Sequence, residues 1–336
     1  MSDTAFPYGM FDSENRTPNP SYLKNTDLKP YLILAALALV WGSSYILIKK
    51  ALIAFDNVQV AYLRVAITGL TFLPFLLYNW SKVNWKKFPY LLVVGFSGTA
   101  IPAYLFATAQ TKIDSSLAGI LSSLTPLMTV LVALTIFRQT VRRERIVGIG
   151  VGLVGAVFLF AFQAGGLSGE LGASLLVILA AFCYALSSNT VGVYLQDMSA
   201  LVLSSASFVL VGLPAAGLLL TTEFTEVVQT HPHGVKSLLA VSFLALAGTV
   251  AASIFFFQLV KMRDAVFASV VSYLIPVVAI GWGIYDGETV TVWQIGGMVL
   301  ILVGVFLSRK RNTSRGSSPP EKDRTQTARK EKSGTH

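Results

Sequence analysis

The sequence predicts an all-α membrane protein with ten transmembrane helices arranged as a 5+5 inverted repeat. Three observations lead to this fold class. Of the 336 residues, 54% are hydrophobic and only 13% are charged, and the mean hydropathy is +0.64. The apolar residues occur in runs long enough to cross a bilayer, which takes about 20 residues per helix. A stretch that ends at Pro126 also recurs, in altered form, before Pro276.

The apolar runs are predicted to be helices, because backbone polar groups in hydrocarbon must be paired within the chain. The ten predicted spans are residues 31–50, 58–78, 90–110, 115–137, 146–163, 172–194, 200–220, 237–259, 265–285 and 291–308.

The internal repeat is clearest at Asp114–Pro126, which reads DSSLAGILSSLTP, and Asp264–Pro276, which reads DAVFASVVSYLIP. The two prolines are 150 residues apart, and the same offset places Gly98-Thr99 on Gly248-Thr249. A long repeat in apolar sequence is typical of transporters built from duplicated halves.

The repeat divides the chain into two five-helix halves with a polar segment at each end. We predict a flexible cytoplasmic tail at 1–30, a first half at 31–163, a second half at 172–308, and a basic disordered cytoplasmic tail at 309–336.

The net charge of +9 reflects membrane topology and does not indicate a nucleic-acid partner. The 309–336 tail holds nine Lys and Arg against three acids, and the remaining basic residues lie mostly in short loops. Because cytoplasmic loops are enriched in Lys and Arg, both termini are predicted to be cytoplasmic. Five spans per half is an odd number, so the second half is inverted relative to the first. Without a secretory signal peptide, we expect a multi-pass protein of the plasma membrane.

Several motifs together resemble the EamA-type family of the drug/metabolite transporter superfamily over residues 31–308. The residues that carry this resemblance are Trp41-Gly42 with Lys49, Arg64 in the second span, the serine-containing stretches ending at Pro126 and Pro276, and the glycine-rich fifth and tenth spans. The resemblance implies a ten-helix carrier, often an exporter of amino acids or related metabolites. It also implies that helices one, three, four, six, eight and nine enclose a central cavity.

The family pattern usually has a glutamate just before the last helix of each half. Glu288 holds this position in the second half, whereas Gln139 replaces it in the first. Thr291 and Gln294 form a capping-box pattern for the start of the tenth helix. Because an acid near a helix N-terminus is stabilising, Glu288 is predicted to support the same helix start.

The predicted substrate site lies near the bilayer midplane between the halves. Its members are the aromatic residues Trp41, Tyr104, Tyr184 and Tyr273, the hydrogen-bonding residues Ser122, Ser123, Asn189, Gln258 and Ser272, and the basic residues Lys49 and Arg64. Two alternatives remain open for the basic residues. Lys49 could extend to the membrane surface, and Arg64 could be an interfacial anchor.

Four residues are predicted to have structural roles as hinges or packing positions: Pro126, Pro276, Gly148 and Gly152. The small residues before each proline also suit close helix packing, which stays open as their only use. The Gly148-xxx-Gly152 spacing favours internal packing over dimerisation. A monomer is therefore expected, with a dimer as the alternative.

The spans hold two basic residues away from the surface and no carboxylate away from their ends. A cationic substrate would be repelled in such a low-dielectric setting. We therefore expect a neutral, zwitterionic or anionic small molecule, and neither a cofactor nor a metal.

Other function classes have less support from the sequence. An intramembrane enzyme needs titratable groups close together, but the spans hold no histidine and one cysteine, Cys183. His231 and His233 in a loop are too few for a typical metal site. No phosphate-binding loop is present that would indicate ATP-driven pumping. A channel or a non-transporting sensor stays open as a third alternative.

Overall fold

The computed structural model describes residues 28–138, 143–161, 170–262 and 271–309, and these residues contain helices and no strand. Most of each predicted tail, the segment 139–142 with Gln139, and residues 263–270 of the predicted ninth span lie outside this part. The helices are α1 (Lys29–Ala51), α2 (Asn57–Tyr78), α3 (Phe88–Gly95), α4 (Ile101–Ala109), α5 (Ser115–Ser122), α6 (Thr125–Thr135), α7 (Arg143–Ala161), α8 (Glu170–Tyr194), α9 (Ala200–Leu219), α10 (Phe224–Thr230), α11 (Gly234–Ala245), α12 (Ala252–Met262), α13 (Val271–Tyr285) and α14 (Val292–Arg309). Short 3-10 turns at Trp80–Lys82 and Trp85–Lys87 precede α3.

Six helical segments in the described part are long and apolar enough to cross a membrane. The pair α5 and α6 makes a seventh if it is counted as one bent span, and two shorter apolar helices lie at Leu274–Tyr285 and Val292–Gly304. The all-helical fold class is therefore confirmed for the described residues, while the arrangement as ten spans stays a prediction.

Local sequence signals explain several of the helix starts. Asp56 caps α2, because its side chain accepts the Gln59 N–H at 2.7 Å while the Gln59 side chain accepts the Asp56 N–H at 3.2 Å. The predicted capping box at Thr291 is present too. There the Gln294 side chain accepts the Thr291 N–H at 2.9 Å, and the Thr291 hydroxyl accepts the Gln294 N–H at 3.2 Å.

Two π-helical turns interrupt the helices at Phe96–Ala100, between α3 and α4, and at Leu246–Ala251, between α11 and α12. They contain the Gly-Thr pairs that the sequence repeat aligned, at Gly98-Thr99 and Gly248-Thr249. A π turn is rare in helices and frequently lies at a functional site. The offset of 150 residues thus relates two unusual backbone features and not only two similar sequences.

Helix packing follows an exchange between the first half (α1–α7) and the second half (α8–α14). Helix α2 packs along α9, and α7 packs along α14. Helix α1 packs on α11, α12 and α13 of the second half, while α8 packs on α3, α4 and α6 of the first half. The first helix of each half therefore lies against helices of the other half, which joins the halves through a shared core.

Glycines allow the closest approaches between these helices. At the crossing of α2 and α9, a Cβ on Gly69 would lie 2.5 Å from the Gly212 Cα, and a Cβ on Gly212 would lie 2.5 Å from the Gly69 Cα. Between α7 and α14, a Cβ on Gly304 would lie 2.6 Å from the Gly148 carbonyl oxygen and would also clash with the backbone of Gly152. The structure thus places the predicted packing glycines, Gly148 and Gly152, against the last helix of the same chain.

The helix break near Pro126 follows from proline chemistry. The α5 and α6 axes differ by 40°, and Pro126 lies in the first turn of α6. Proline has no N–H to donate to the carbonyl four residues earlier. That carbonyl, of Ser122, accepts the Thr125 hydroxyl at 2.7 Å instead. Pro276, its counterpart in the repeat, is buried inside α13.

Candidate functional site

Arg64 is the centre of the candidate site. It lies about two turns into α2 and is partly buried. Its guanidinium Nε and Nη2 lie 3.4 and 3.5 Å from Thr249 Oγ1, in the π turn of the second half. The Tyr184 hydroxyl on α8 also lies within hydrogen-bonding reach of the guanidinium. Arg64 of the first half therefore contacts two helices of the second half.

Aromatic rings line the region next to Arg64. The Tyr45 and Phe106 ring centroids are 5.7 Å apart in an edge arrangement, and those of Phe106 and Tyr184 are 6.2 Å apart. The Tyr45 hydroxyl lies within hydrogen-bonding reach of the Ser122 side chain on α5. Residues from α1, α2, α4, α5 and α8 therefore meet at one place, which we call the Arg64 cluster: Tyr45, Arg64, Phe106, Ser122, Tyr184 and Thr249.

Three predicted site residues use their polar groups to hold helices together. Trp41 Nε1 donates to the Gly248 carbonyl oxygen at 3.0 Å, which ties α1 to the second π turn. Asn189 Nδ2 donates to the carbonyl oxygens of Thr129 at 3.1 Å and Ala185 at 2.9 Å, which ties α8 to α6. The buried Ser123 hydroxyl donates to a carbonyl within its own bend, that of Ile120, at 2.6 Å.

The remaining predicted members are less informative. Tyr104 is 44% exposed, and Ser272 is partly buried. The side chains of Gln258 and Tyr273 lie outside the described part of the structure, although both residues belong to described helices. Their predicted roles therefore stay predictions.

An ion-pair network at one end of the helices contains Lys49 and Glu288. Lys49 Nζ lies 2.7 Å from Glu288 Oε1 and 2.9 Å from Asp286 Oδ2, and Lys50 pairs with Asp286 as well. The Glu288 carboxylate also accepts the Ser115 N–H at 3.1 Å, the Ser115 hydroxyl at 2.7 Å and the Ser116 N–H at 3.0 Å. Glu288, with a side chain only 2% exposed, therefore joins α1 to the N-terminus of α5.

The predicted role of Glu288 at the start of the tenth helix is wrong in this structure. The chain leaves α13 through Gly287, whose φ of +84° suits glycine, and the Glu288 N–H donates to the Gly283 carbonyl at 2.8 Å. This helix ending turns the Glu288 side chain towards α5 of the other half. The N-cap residue of α5, Asp114, makes no capping side-chain bond. Glu288 is the acceptor in its place.

The protonation state of Glu288 follows from these contacts. Burial by itself raises the pKa of the carboxyl group, but the hydrogen bonds from Lys49, Ser115 and Ser116 outweigh it and hold the pKa at about 2. The hydrogen bonds from Lys50 and Lys49 likewise lower the pKa of Asp286. Both carboxylates are charged at neutral pH, so the charge of Lys49 is already compensated within the protein.

Two other places in the described part show no comparable arrangement. The His231 ring nitrogen Nδ1 accepts the His233 N–H at 3.1 Å, and no group of three or more metal-ligating side chains occurs among the searched residues. An apolar cavity of about 280 Å³ between α1 and the second π turn contains none of the predicted site residues. Its lining is Leu32, Ile33, Ala36, Leu37, Val40, Ala247, Ala251, Ala252 and Phe255.

The site residues that the sequence prediction missed are Tyr45, Phe106, Thr249, Ser115 and Glu288. Tyr45 lies one helical turn after Trp41, so the two share a face, and Thr249 aligns with Thr99 in the repeat. Both signals were available in the sequence. The contacts of Glu288 were not, because Lys49 and Ser115 lie 239 and 173 residues away from it in the chain.

The fold and the site together define a multi-pass α-helical membrane protein with a polar and aromatic cluster between its two halves. The sequence profile of the EamA-like transporter family matches residues 28–161 and again residues 171–309. The chain therefore belongs to the EamA-like transporter family.

Individual relatives are transporters by name. An uncharacterized transporter of Archaeoglobus fulgidus is 22% identical over 286 residues, which cover 84% of this chain and 100% of that protein. The uncharacterized inner membrane transporter YedA of Escherichia coli K12 is 26% identical over 277 residues, or 80% of this chain and 88% of YedA. A probable amino-acid metabolite efflux pump of Salmonella typhimurium is 24% identical over 295 residues, or 84% and 96% of the two chains.

A solved crystal structure shares the fold. It superimposes with a TM-score of 0.56 at 19% sequence identity and covers 83% of this chain and 96% of that chain. At this level of identity the similarity concerns the arrangement of helices alone.

Proposed function

We propose that this protein is a secondary transporter that exports small metabolites, such as amino acids, by alternating access. The observation that supports this most is the Arg64 cluster, in which a partly buried cation and aromatic rings from both halves meet inside an apolar helical protein. Intramembrane ionisable residues commonly mark substrate pathways. Transporter sites also commonly lie where two repeats meet.

The proposed architecture has ten spans in two inverted halves, at 31–163 and 172–308, with both termini in the cytoplasm. The exchange of packing partners between the halves and the two π turns 150 residues apart support the repeat. The basic loops support the orientation. The names of the relatives, among them a probable amino-acid metabolite efflux pump, support a transport role over an enzymatic one.

The proposed substrate is neutral, zwitterionic or anionic, and the proposed unit is a monomer in the plasma membrane. The described cation of the Arg64 cluster disfavours organic cations. Trp41, Asn189 and Ser123 are proposed to shape the site through helix positions rather than through direct contact, because their donors are already used.

Counterflow in liposomes tests the transport proposal. Purified protein is reconstituted, the vesicles are loaded with an unlabelled amino acid at millimolar concentration, and uptake of the labelled compound is followed. A carrier gives transient accumulation that saturates with concentration. We expect this behaviour for at least one amino acid in a panel.

The contrasting outcomes are distinct. Uptake that rises linearly without counterflow would indicate a channel, and the absence of any transport across the panel in folded protein would contradict the proposal. Empty liposomes and vesicles with heat-unfolded protein are the controls.

A further inference from the structure

We propose that Arg64 binds the carboxylate of the transported substrate, so that the substrate class is carboxylate-bearing metabolites with an apolar portion. This inference rests on the proposed transport function and narrows it. It assigns the recognition of the anion to Arg64 and not to Lys49, the other basic residue predicted for the site.

The first argument is that the Arg64 guanidinium has unused capacity. Arginine has five N–H donors, and within the described residues its partners are the hydroxyls of Thr249, at 3.4 and 3.5 Å, and Tyr184. The ion pairs of the described part involve lysines only and do not include Arg64. Neutral hydroxyls leave the positive charge without a counter-ion, which is costly inside a membrane protein.

The second argument is that a carboxylate matches what the guanidinium lacks. It brings a compensating charge and two acceptor oxygens in the plane that the guanidinium fork recognises. Lys49 has no such need, because Glu288 and Asp286 lie 2.7 and 2.9 Å from its Nζ.

The third argument comes from the internal repeat. Gly69 and Gly212 face each other where α2 crosses α9, and this equivalence places Arg64 on Ser207. The repeat also places Thr249 on Thr99. The hydroxyls of Ser207 and Thr99 are both buried without a hydrogen-bond partner among the described residues. The fold therefore accepts a small hydroxyl residue at the position equivalent to Arg64, so helix packing alone does not explain the arginine.

The apolar portion of the ligand fits the remaining members of the Arg64 cluster. Tyr45, Phe106 and Tyr184 present rings with centroid separations of 5.7 and 6.2 Å. Aromatic side chains contact apolar or aromatic groups favourably and retain polar edges for hydrogen bonding. An aromatic or aliphatic amino acid has both features, a carboxylate and an apolar side chain.

Matched pairs of amino acids and their amides test the inference. L-phenylalanine and L-phenylalaninamide share the ring and the amino group and differ in the carboxylate, and L-leucine and L-leucinamide form a second pair. Counterflow and competition are measured for wild-type protein, Arg64→Gln and Arg64→Lys in liposomes. Melting temperatures in detergent verify that each variant is folded.

We expect the wild type to prefer each acid over its amide by about tenfold or more, the size of a lost charged hydrogen bond. Arg64→Gln should raise the half-saturation concentration of the acid by a similar factor and leave weak inhibition by the amide unchanged. Arg64→Lys should retain part of the preference. If Arg64→Gln does not fold, the comparison between wild type and Arg64→Lys still tests the assignment.

Three results would overturn the inference while leaving the transport proposal intact. They are equal transport of acid and amide by the wild type, an undiminished preference in Arg64→Gln, and transport confined to compounds without an anionic group. The absence of counterflow for every compound would instead overturn the transport proposal.

Discussion

Replacing Glu288 by glutamine is expected to lower the free energy of unfolding by about 3 kcal/mol, within the range for removing one partner of a buried ion pair. The carboxylate accepts bonds from Lys49, Ser115 and Ser116 in a site where its side chain is 2% exposed. An amide has no charge and only one acceptor oxygen, so at least one donor loses its partner.

Thermal melting of the purified full-length protein in detergent measures this effect. Glu226→Gln is the matched control, because Glu226 is exposed and makes the same chemical change without a network. A Glu288→Gln variant as stable as the control would contradict the role assigned to Glu288.

The pH dependence gives a second measurement on the same variant. The pKa of Glu288 falls from 4.5 to about 2 in the folded protein. A depressed carboxyl pKa stabilises the folded state above the unfolded value, and that stabilisation is lost as the pH falls through the folded value. The difference in melting temperature between wild type and Glu288→Gln should therefore narrow between pH 4.5 and pH 2.

Exchanging the charges, as Lys49→Glu with Glu288→Lys, is expected not to restore stability. A lysine at position 288 would place an ammonium group against the N–H groups of Ser115 and Ser116, which also form the positive end of α5. We expect the double variant to remain at least about 2 kcal/mol less stable than wild type, because buried donors and a buried charge stay unsatisfied.

The exposed pair of Lys87 and Asp197 is the control for this exchange. Its atoms are 2.8 Å apart, but the side chains are 30% and 46% exposed. Exposed pairs contribute about 0–1 kcal/mol, so reversing this pair should change stability little. Full recovery of stability in the Lys49→Glu, Glu288→Lys variant would show that Glu288 acts only as a partner of Lys49.

The sequence was most informative where one local property determines the structure. Apolar runs predict helices because unpaired backbone groups cannot remain in hydrocarbon. The helix break at Pro126 and the cap at Thr291 follow from chemistry within four residues. The alignment of Gly98 with Gly248 pointed to a repeat whose members both form π turns.

The candidate site was only partly predictable, because side chains distant in sequence decide which polar groups stay available. Trp41 and Asn189 looked like substrate contacts, yet their donors bind backbone carbonyls of other helices. Lys49 and Arg64 looked alike as basic residues in the first half. The acids that pair with Lys49 follow it by more than 200 residues and come close only through the fold.

The inverted repeat is the central claim, and the sidedness of two equivalent residues tests it most directly. Lys86 and Lys236 are exposed, precede equivalent helices and are separated by the repeat offset of 150 residues. Each is replaced by cysteine in a Cys183→Ala background, which removes the cysteine of the native chain. Intact cells are then treated with a membrane-impermeant maleimide. We expect labelling of Lys236→Cys at once and of Lys86→Cys only after the membrane is opened. Labelling of both positions from the same side would contradict the inverted repeat.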